Sequence, residues 1–475
     1  MATALHETPS AAIHRQLSHP VVDGDGHWLE PTPVYLEHLR EAGGAAAVDR
    51  FVKWRQDATR FYDMTPEERQ AKRVNRRLWW GAPAKPIDRA TSMTPRLLHE
   101  RLGDFGIDFA MVYPTLCTRF ANLGDPDMRR VFMRAYNTMT MELFRPYADR
   151  LRPVALIPSH TPDEALEELD FAIGKLGFKG AMFNCNVARP LEGGKGYWID
   201  SLGLDSAYDY DPVWQKFTDL KLAVTTHGGS LGWVNRTSPT SYVANHLGHF
   251  AQGNQTACRG LFMGGVTARF PQLRFAFLEG GIGWACTLYT DLIAHWQKRS
   301  RAAIQVMDPA KFDAAELGRI LEEYGYSHAT VEAILKDHVD PHEPYQQQSY
   351  LSERDRQGDD FWAVPINSVE DITKLFVERF YFGCEADDPT TAWAFEKSGK
   401  PAPRPIFSSD ISHFDVPDMT LVLEEAWELV EDGLIDEAAF EQFTFSNAVR
   451  LHTAANPDFF KGTAVEAAAA KVAGR

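Results

Sequence analysis

Cysteine is scarce. The chain has five in 475 residues, at 117, 185, 258, 286 and 384, an odd number with no CxxC pair. That excludes a disulfide scaffold, points to a reducing compartment, and makes the five core or bystander residues. Positive charge is also short: 49 Lys and Arg stand against 65 Asp and Glu, for a net charge of −16. No Lys/Arg run supplies the clustered basic footprint that nucleic acid requires, so nucleic acid is excluded as a partner. No stretch approaches the roughly 18 apolar residues of a membrane span. The N-terminus MATALHETPSAAIHRQLSHP has no apolar core of a secretory signal. A cytoplasmic enzyme without a membrane partner is therefore expected. No G-x-G-x-x-G or Walker-type G-x-x-x-x-G-K is found, and no internal repeat, which disfavours a nucleotide-binding open sheet.

What the chain does have is apolar residues, with 12 Trp and 29 Phe among them, enough for a large core. Eight short apolar runs alternate with helical patterns: about 20–25, 107–113, 153–157, 178–183, 222–227, 273–278, 380–383 and 405–409. Alternating β and α patterns mean βαβ units and a parallel sheet, and eight of them favour closure into a (β/α)8 TIM barrel, an α/β fold. Long insertions are expected after strands 1, 5 and 6, because ordinary barrel connections are about 2–6 residues. The predicted organisation is a flexible leader at 1–18, a barrel over 19–455 with a helical insertion near 300–375, and a C-terminal tail at 456–475.

Each run ends on a polar or ionisable residue. Catalytic groups of such barrels come from the C-terminal ends of several strands. Asp25 and His27 sit two apart at the end of strand 1, with Glu30 just beyond, and His227, Glu279 and Asp410 end strands 5, 6 and 8. Four carboxylates and two imidazoles on one rim would repel and raise one another's pKa, unless a divalent cation balances them. A substrate ammonium group is the alternative. Glu30 and Glu279, taken singly, read equally well as helix caps. Asp23, one pleat deeper, reads as structural. His249, His160, Asn184 and His413 are additional site candidates, as are His246 and Asp415 more weakly. Trp79, Tyr113, Arg119 and Trp233 are candidate substrate contacts, and Arg73, Arg76, Arg77 and Arg119 are candidates to hold a substrate carboxylate.

The motifs D-x-x-x-H-x-x-E-P at 23–31, T-H-G-G at 226–229, E-G-G-x-G-W at 279–284, S-S-D at 408–410 and N-A-x-R-L at 447–451 resemble the amidohydrolase superfamily. The resemblance is to its amidohydrolase-related, aminocarboxymuconate-semialdehyde decarboxylase-like branch, and it covers about 20–455. It implies a metal-dependent barrel with His-x-His after strand 1, His after strands 5 and often 6, and Asp after strand 8. His27, His227 and Asp410 match that pattern. Asp25 replaces the first His of His-x-His, and Glu279 replaces the strand-6 His that would help activate water.

Carboxylates in place of imidazoles harden the donor set, favouring Mn or Fe over Zn and allowing one or two ions. The leading expectation is a hydrolase or decarboxylase of a small carboxylic or aromatic, even polycyclic, substrate. Asp410, Glu279 and His227 would be its catalytic residues. The alternative is a non-haem mono- or di-iron oxygenase on the same barrel. A binding scaffold that has lost activity ranks last. A homodimer is expected from the resemblance alone.

Overall fold

The computed structural model describes residues 7–227, 236–307, 311–338, 358–395 and 402–474. They fall into two compact units, one of residues 1–289 with 373–475, the other of 290–372. The larger unit is a (β/α)8 barrel. Its strands are β1 (Val22–Trp28), β2 (Phe109–Pro114), β3 (Leu151–Ile157), β4 (Gly180–Phe183), β5 (Val224–Thr226), β6 (Phe275–Phe277), β7 (Phe380–Cys384) and β8 (Arg404–Phe407). Neighbours pair in chain order, all parallel. All eight apolar runs became strands, within a few residues of their expected bounds. Helices cover the outside of a closed parallel sheet, so these strands are buried along nearly their whole length.

The ring closes at the mouth. The Asp410 N–H donates to the Asp25 carbonyl (3.0 Å), and the His27 N–H donates to the Ile411 carbonyl (2.9 Å). Closure therefore joins two of the segments that carry site residues.

After β1 the connection holds helices Thr32–Thr59, Pro66–Lys72, Pro86–Met93 and Pro95–Arg101. After β5 it holds Tyr242–His246, His249–Met263 and Val266–Arg269. An antiparallel hairpin, Val187–Pro190 with Tyr197–Asp200, follows β4. The smaller unit contains helices Ala314–Glu323 and His328–His338, an amphipathic pair with Val331 buried.

One expectation needs correction. The stretch read as a loose leader folds from Pro9 to His14 into a helix capped by the Thr8 hydroxyl. The buried Ser10 hydroxyl then accepts the Leu423 N–H (3.0 Å), at the start of helix Val422–Glu431. A helix start leaves its first N–H groups unpaired, and this side chain satisfies one of them. The C-terminal tail holds buried Phe459 and Phe460 and, in its Ala-rich segment, helix Glu466–Val472.

Candidate metal centre

The Asp-Gly-Asp-Gly-His sequence determines the local shape of β1. Asp23 pairs with Ala110 but Gly26 pairs with Val112, so β1 carries one extra residue there. Such a bulge bends a strand and re-aims its side chains. Glycine is required within it, because a Cβ on Gly26 would lie 2.7 Å from Asp23 Oδ2. Asp23 stays below the mouth as a brace. Its carboxylate accepts the Ser409 N–H (2.9 Å), the Ser409 hydroxyl (2.6 Å) and the Asp25 N–H (3.1 Å).

Past the bulge, five residues from four strand ends converge. His27 Nδ1 donates to the Pro114 carbonyl (3.1 Å), which leaves Nε2 as a free lone pair directed at the cluster. That Nε2 is 3.1 Å from His227 Nε2, 3.3 Å from Asp410 Oδ1 and 3.7 Å from Asp25 Oδ1. His227 Nε2 is 2.9 Å from Glu279 Oε2 and 3.7 Å from Asp25 Oδ2. His413 joins them: it stacks on His27 and donates from Nδ1 to Asp410 Oδ2 (2.8 Å). Glu279 (φ 56°) and Asp410 (φ 53°) both adopt the left-handed backbone region. For residues with a side chain that costs of order 1–3 kcal/mol each and is typical of functional sites.

The electrostatics are those of an uncompensated cluster. Burial, then the charges of Glu279 and other carboxylates, lift Asp25 and Asp410 well above the usual carboxylate range. Burial opposes charge on His227, but Asp25 and Glu279 outweigh it and raise the imidazole to about 9. Glu279 falls to about 2, because His227 and the other imidazoles overcome its burial. His27 is pushed well below its ordinary value by burial and by His413 and His227.

Both oxygens of Asp25, Oε1 of Glu279 and Oδ1 of Asp410 are buried without a hydrogen bond, and Oε2 of Glu279 is left to the His227 imidazole (2.9 Å). Buried polar atoms are almost always bonded, and an orphaned carboxylate costs several kcal/mol. Two sets of donor atoms lie within 4.8 Å of one another: His27, Glu279, Asp410 and His413, and Asp25, His27 and His227. Orphaned oxygens at that spacing fit a divalent cation. A third set, His246, Glu279 and Asp415, shares Glu279 with the first.

Other sequence candidates lie elsewhere. Glu30 is not at the centre: its carboxylate is filled by the N–H groups of Thr115 (3.2 Å), Leu116 (2.8 Å) and Cys117 (3.2 Å). It holds the loop after β2 in place. His160, at the end of β3, belongs to none of the donor sets; burial and Arg129 and Arg189 keep it neutral, at about 3. His249 donates to the His246 carbonyl (2.8 Å) and lines the cavity above the centre without joining a donor set. Asn184 and Arg119 line that same cavity, of about 340 Å³. Tyr113 is buried beside His27 and His227, its hydroxyl unbonded. Trp79 is 79% exposed, stacks only on Trp80 and does not line the cavity. Trp233 lies outside the described residues.

The sequence reading missed Arg236, Tyr242, Phe250 and Phe414, which line the cavity. It also missed Glu385, at the end of β7, which burial and the charges of Glu279, Asp387 and Asp415 lift to about 8. Glu385 had a legible signal in its place at a strand end. Arg236 and Phe414 stand in irregular loops with no periodicity to read, and Tyr242 and Phe250 near the starts of two helices in the long connection after β5.

Residues 96–330 match the family model described as amidohydrolase. That span holds His227 and Glu279, while Asp25, His27 and Asp410 reach them through barrel closure. An amidohydrolase from Mycobacterium avium subsp. paratuberculosis K-10 has a similar fold, with a TM-score of 0.53 and 14% identity over 92% of this chain and 98% of that one. So does a 2,6-dihydroxybenzoate decarboxylase from Rhizobium, with a TM-score of 0.50 and 15% identity over 92% and 99%. Residues 96–330 thus match the amidohydrolase family, and the barrel around them shares the fold of these two structures.

Proposed function

We propose that this chain is a metal-dependent hydrolase or decarboxylase acting on a small carboxylic or aromatic acid. One observation carries the reading: buried carboxylates from three separate strand ends, all short of hydrogen bonds, meet two imidazoles at the mouth of the barrel. His27, His227, Asp25, Glu279 and Asp410 would hold the cation. When bound, a divalent cation supplies Lewis acidity, polarising a substrate oxygen and lowering the pKa of water.

The chain's own residues do the rest. The Pro114 carbonyl fixes the tautomer of His27, so that Nε2 is offered as a lone pair. His413 occupies Oδ2 of Asp410 and leaves Oδ1 facing inward. Asp410 and Glu279 are the groups placed to take up and return a proton, as a hydrolytic or decarboxylating step requires. The Rhizobium relative, whose name gives decarboxylation of an aromatic acid, supports the lyase form of the reading.

Carboxylate oxygens outnumber imidazoles, which favours Mn over Zn. The third donor set, His246, Glu279 and Asp415, would offer ligands to a second ion. The test is metal analysis and the visible spectrum of the protein purified without added metal, with turnover of a panel of hydroxybenzoates and anilides followed with and without oxygen. Manganese or zinc with oxygen-independent turnover is expected. Iron with turnover that requires oxygen would overturn the reading in favour of an oxygenase. The homodimer, also proposed, is checked by light scattering.

A further inference from the structure

Three aromatic rings run from the wall of the cavity out to its rim. Tyr242 lines the cavity, Trp80 packs edge-on against Tyr242 (ring centres 5.4 Å apart), and Trp79 packs edge-on against Trp80 (5.6 Å). Exposure rises along this ladder, to 36% at Trp80 and 79% at Trp79. Tyr62, 56% exposed, and Leu116, 41% exposed, both line the cavity as well and continue the same apolar surface. A single apolar side chain on a surface needs no explanation. A connected group of them at the mouth of a cavity marks a binding surface, and Trp and Tyr are the residues such surfaces favour.

The rim is held in place by hydrogen bonds. The Arg76 N–H donates to the Ser238 carbonyl (2.8 Å), the buried Asn245 side-chain amide donates to the Arg76 carbonyl (3.4 Å), and the Tyr62 hydroxyl donates to the Leu78 carbonyl (2.7 Å). These bonds tie the connection after β1 to the connection after β5, beside the two indoles. Aromatic rings presented on a fixed backbone lose little conformational freedom when a ligand covers them.

Continuity with the cavity identifies the occupant. Tyr62, Leu116 and Tyr242 belong to cavity and rim alike, so a ligand seated at the centre and longer than the cavity lies along them. The volume of about 340 Å³ admits one or two rings, and the ladder extends beyond it. From this geometry we infer that Trp79 and Trp80 form an outer subsite for the apolar body of the substrate, remote from the end presented to His27 and His227. The substrate is thus an acid with an extended aromatic or polycyclic body whose far end lies over the indoles. The inference rests on the metal-enzyme reading only for which end reacts.

The test uses the metal-loaded protein and three probes of increasing length: benzoate, biphenyl-4-carboxylate and p-terphenyl-4-carboxylate. In calorimetry the third ring, which reaches past the cavity, should tighten binding about tenfold, since it removes further apolar surface from water. In Trp79→Ser and Trp80→Ser that advantage should fall severalfold, while benzoate binding and metal content stay unchanged. Hydroxyl-radical footprinting read by mass spectrometry should show Trp79 protected by the terphenyl acid and not by benzoate. The inference is overturned if the third ring adds nothing, if both variants keep its full advantage, or if Trp79 is oxidised equally with either probe. Should Trp79→Ser instead dissociate an oligomer or end binding to phosphatidylcholine vesicles while the third-ring advantage persists, the rim serves a partner surface and the inference also falls. Failure of the metal reading looks different: benzoate binding would survive chelation while the third-ring advantage and its dependence on Trp79 remained.

Discussion

Glu30 and Glu279 are two carboxylates that read alike in the sequence, each just past a barrel strand and each plausible as a cap or a ligand. Their surroundings separate them. Glu30 accepts three backbone N–H groups from Thr115 to Cys117 and has nothing left to offer. Glu279 is equally buried and accepts no backbone N–H; it faces the imidazoles of His227 (2.9 Å) and His413 (3.6 Å) instead. The seat around Glu30 is complete as protein, whereas the mouth around Glu279 is complete only with a ligand. Satisfied buried charge builds the fold, and unsatisfied buried charge marks where something else binds.

The largest expected effect breaks the unsatisfied side. Asp410→Ala and His227→Ala should each lower turnover by about a thousandfold or more, the scale of several kcal/mol of charge stabilisation. Metal content should fall with it, and circular dichroism should show the fold retained. Retained activity in either variant would remove that residue from the centre.

An effect of intermediate size concerns pH. The metal-free centre holds a proton on His227, raised to about 9, while burial and neighbouring carboxylates raise Asp25 and Asp410 above the usual carboxylate range. A cation must displace the His227 proton. Its affinity should therefore weaken as pH falls, by up to about tenfold per unit for each proton displaced, and binding should release protons. Calorimetry in buffers of different ionisation enthalpy reads that release directly. Affinity unchanged between pH 6 and 8 would mean that the cluster is not where the metal binds.

The smallest effect probes the satisfied side. Glu30→Gln keeps the shape but loses the charge that three N–H groups address, and should cost about 1–3 kcal/mol in denaturant unfolding. Metal content should be unaltered. If metal is lost as well, Glu30 and Glu279 do not differ in the way described.

Much of this was readable beforehand. The eight apolar runs stop at Pro, Gly, Asn or an ionisable residue, and a buried parallel strand has little choice but to look like that. Asp25, His27, His227, Glu279 and Asp410 were legible because the mouth of a barrel collects strand ends. The leader was misread because its order comes from a contact across more than 400 residues, between Ser10 and Leu423. Glu30 was misread for a related reason, since its partners are N–H groups of another loop. Arg236 and Phe414 could not be singled out, because irregular loops carry no period that tells a cavity wall from a solvated surface.

By itself the chain determined the barrel, through local runs whose burial needs no knowledge of partners, and it determined which residue types crowd the mouth. Only tertiary structure decided which of those charges are spent on the protein and which remain for a ligand. Hydrogen bonds and ion pairs act over about 3 Å in space, whatever the separation along the chain.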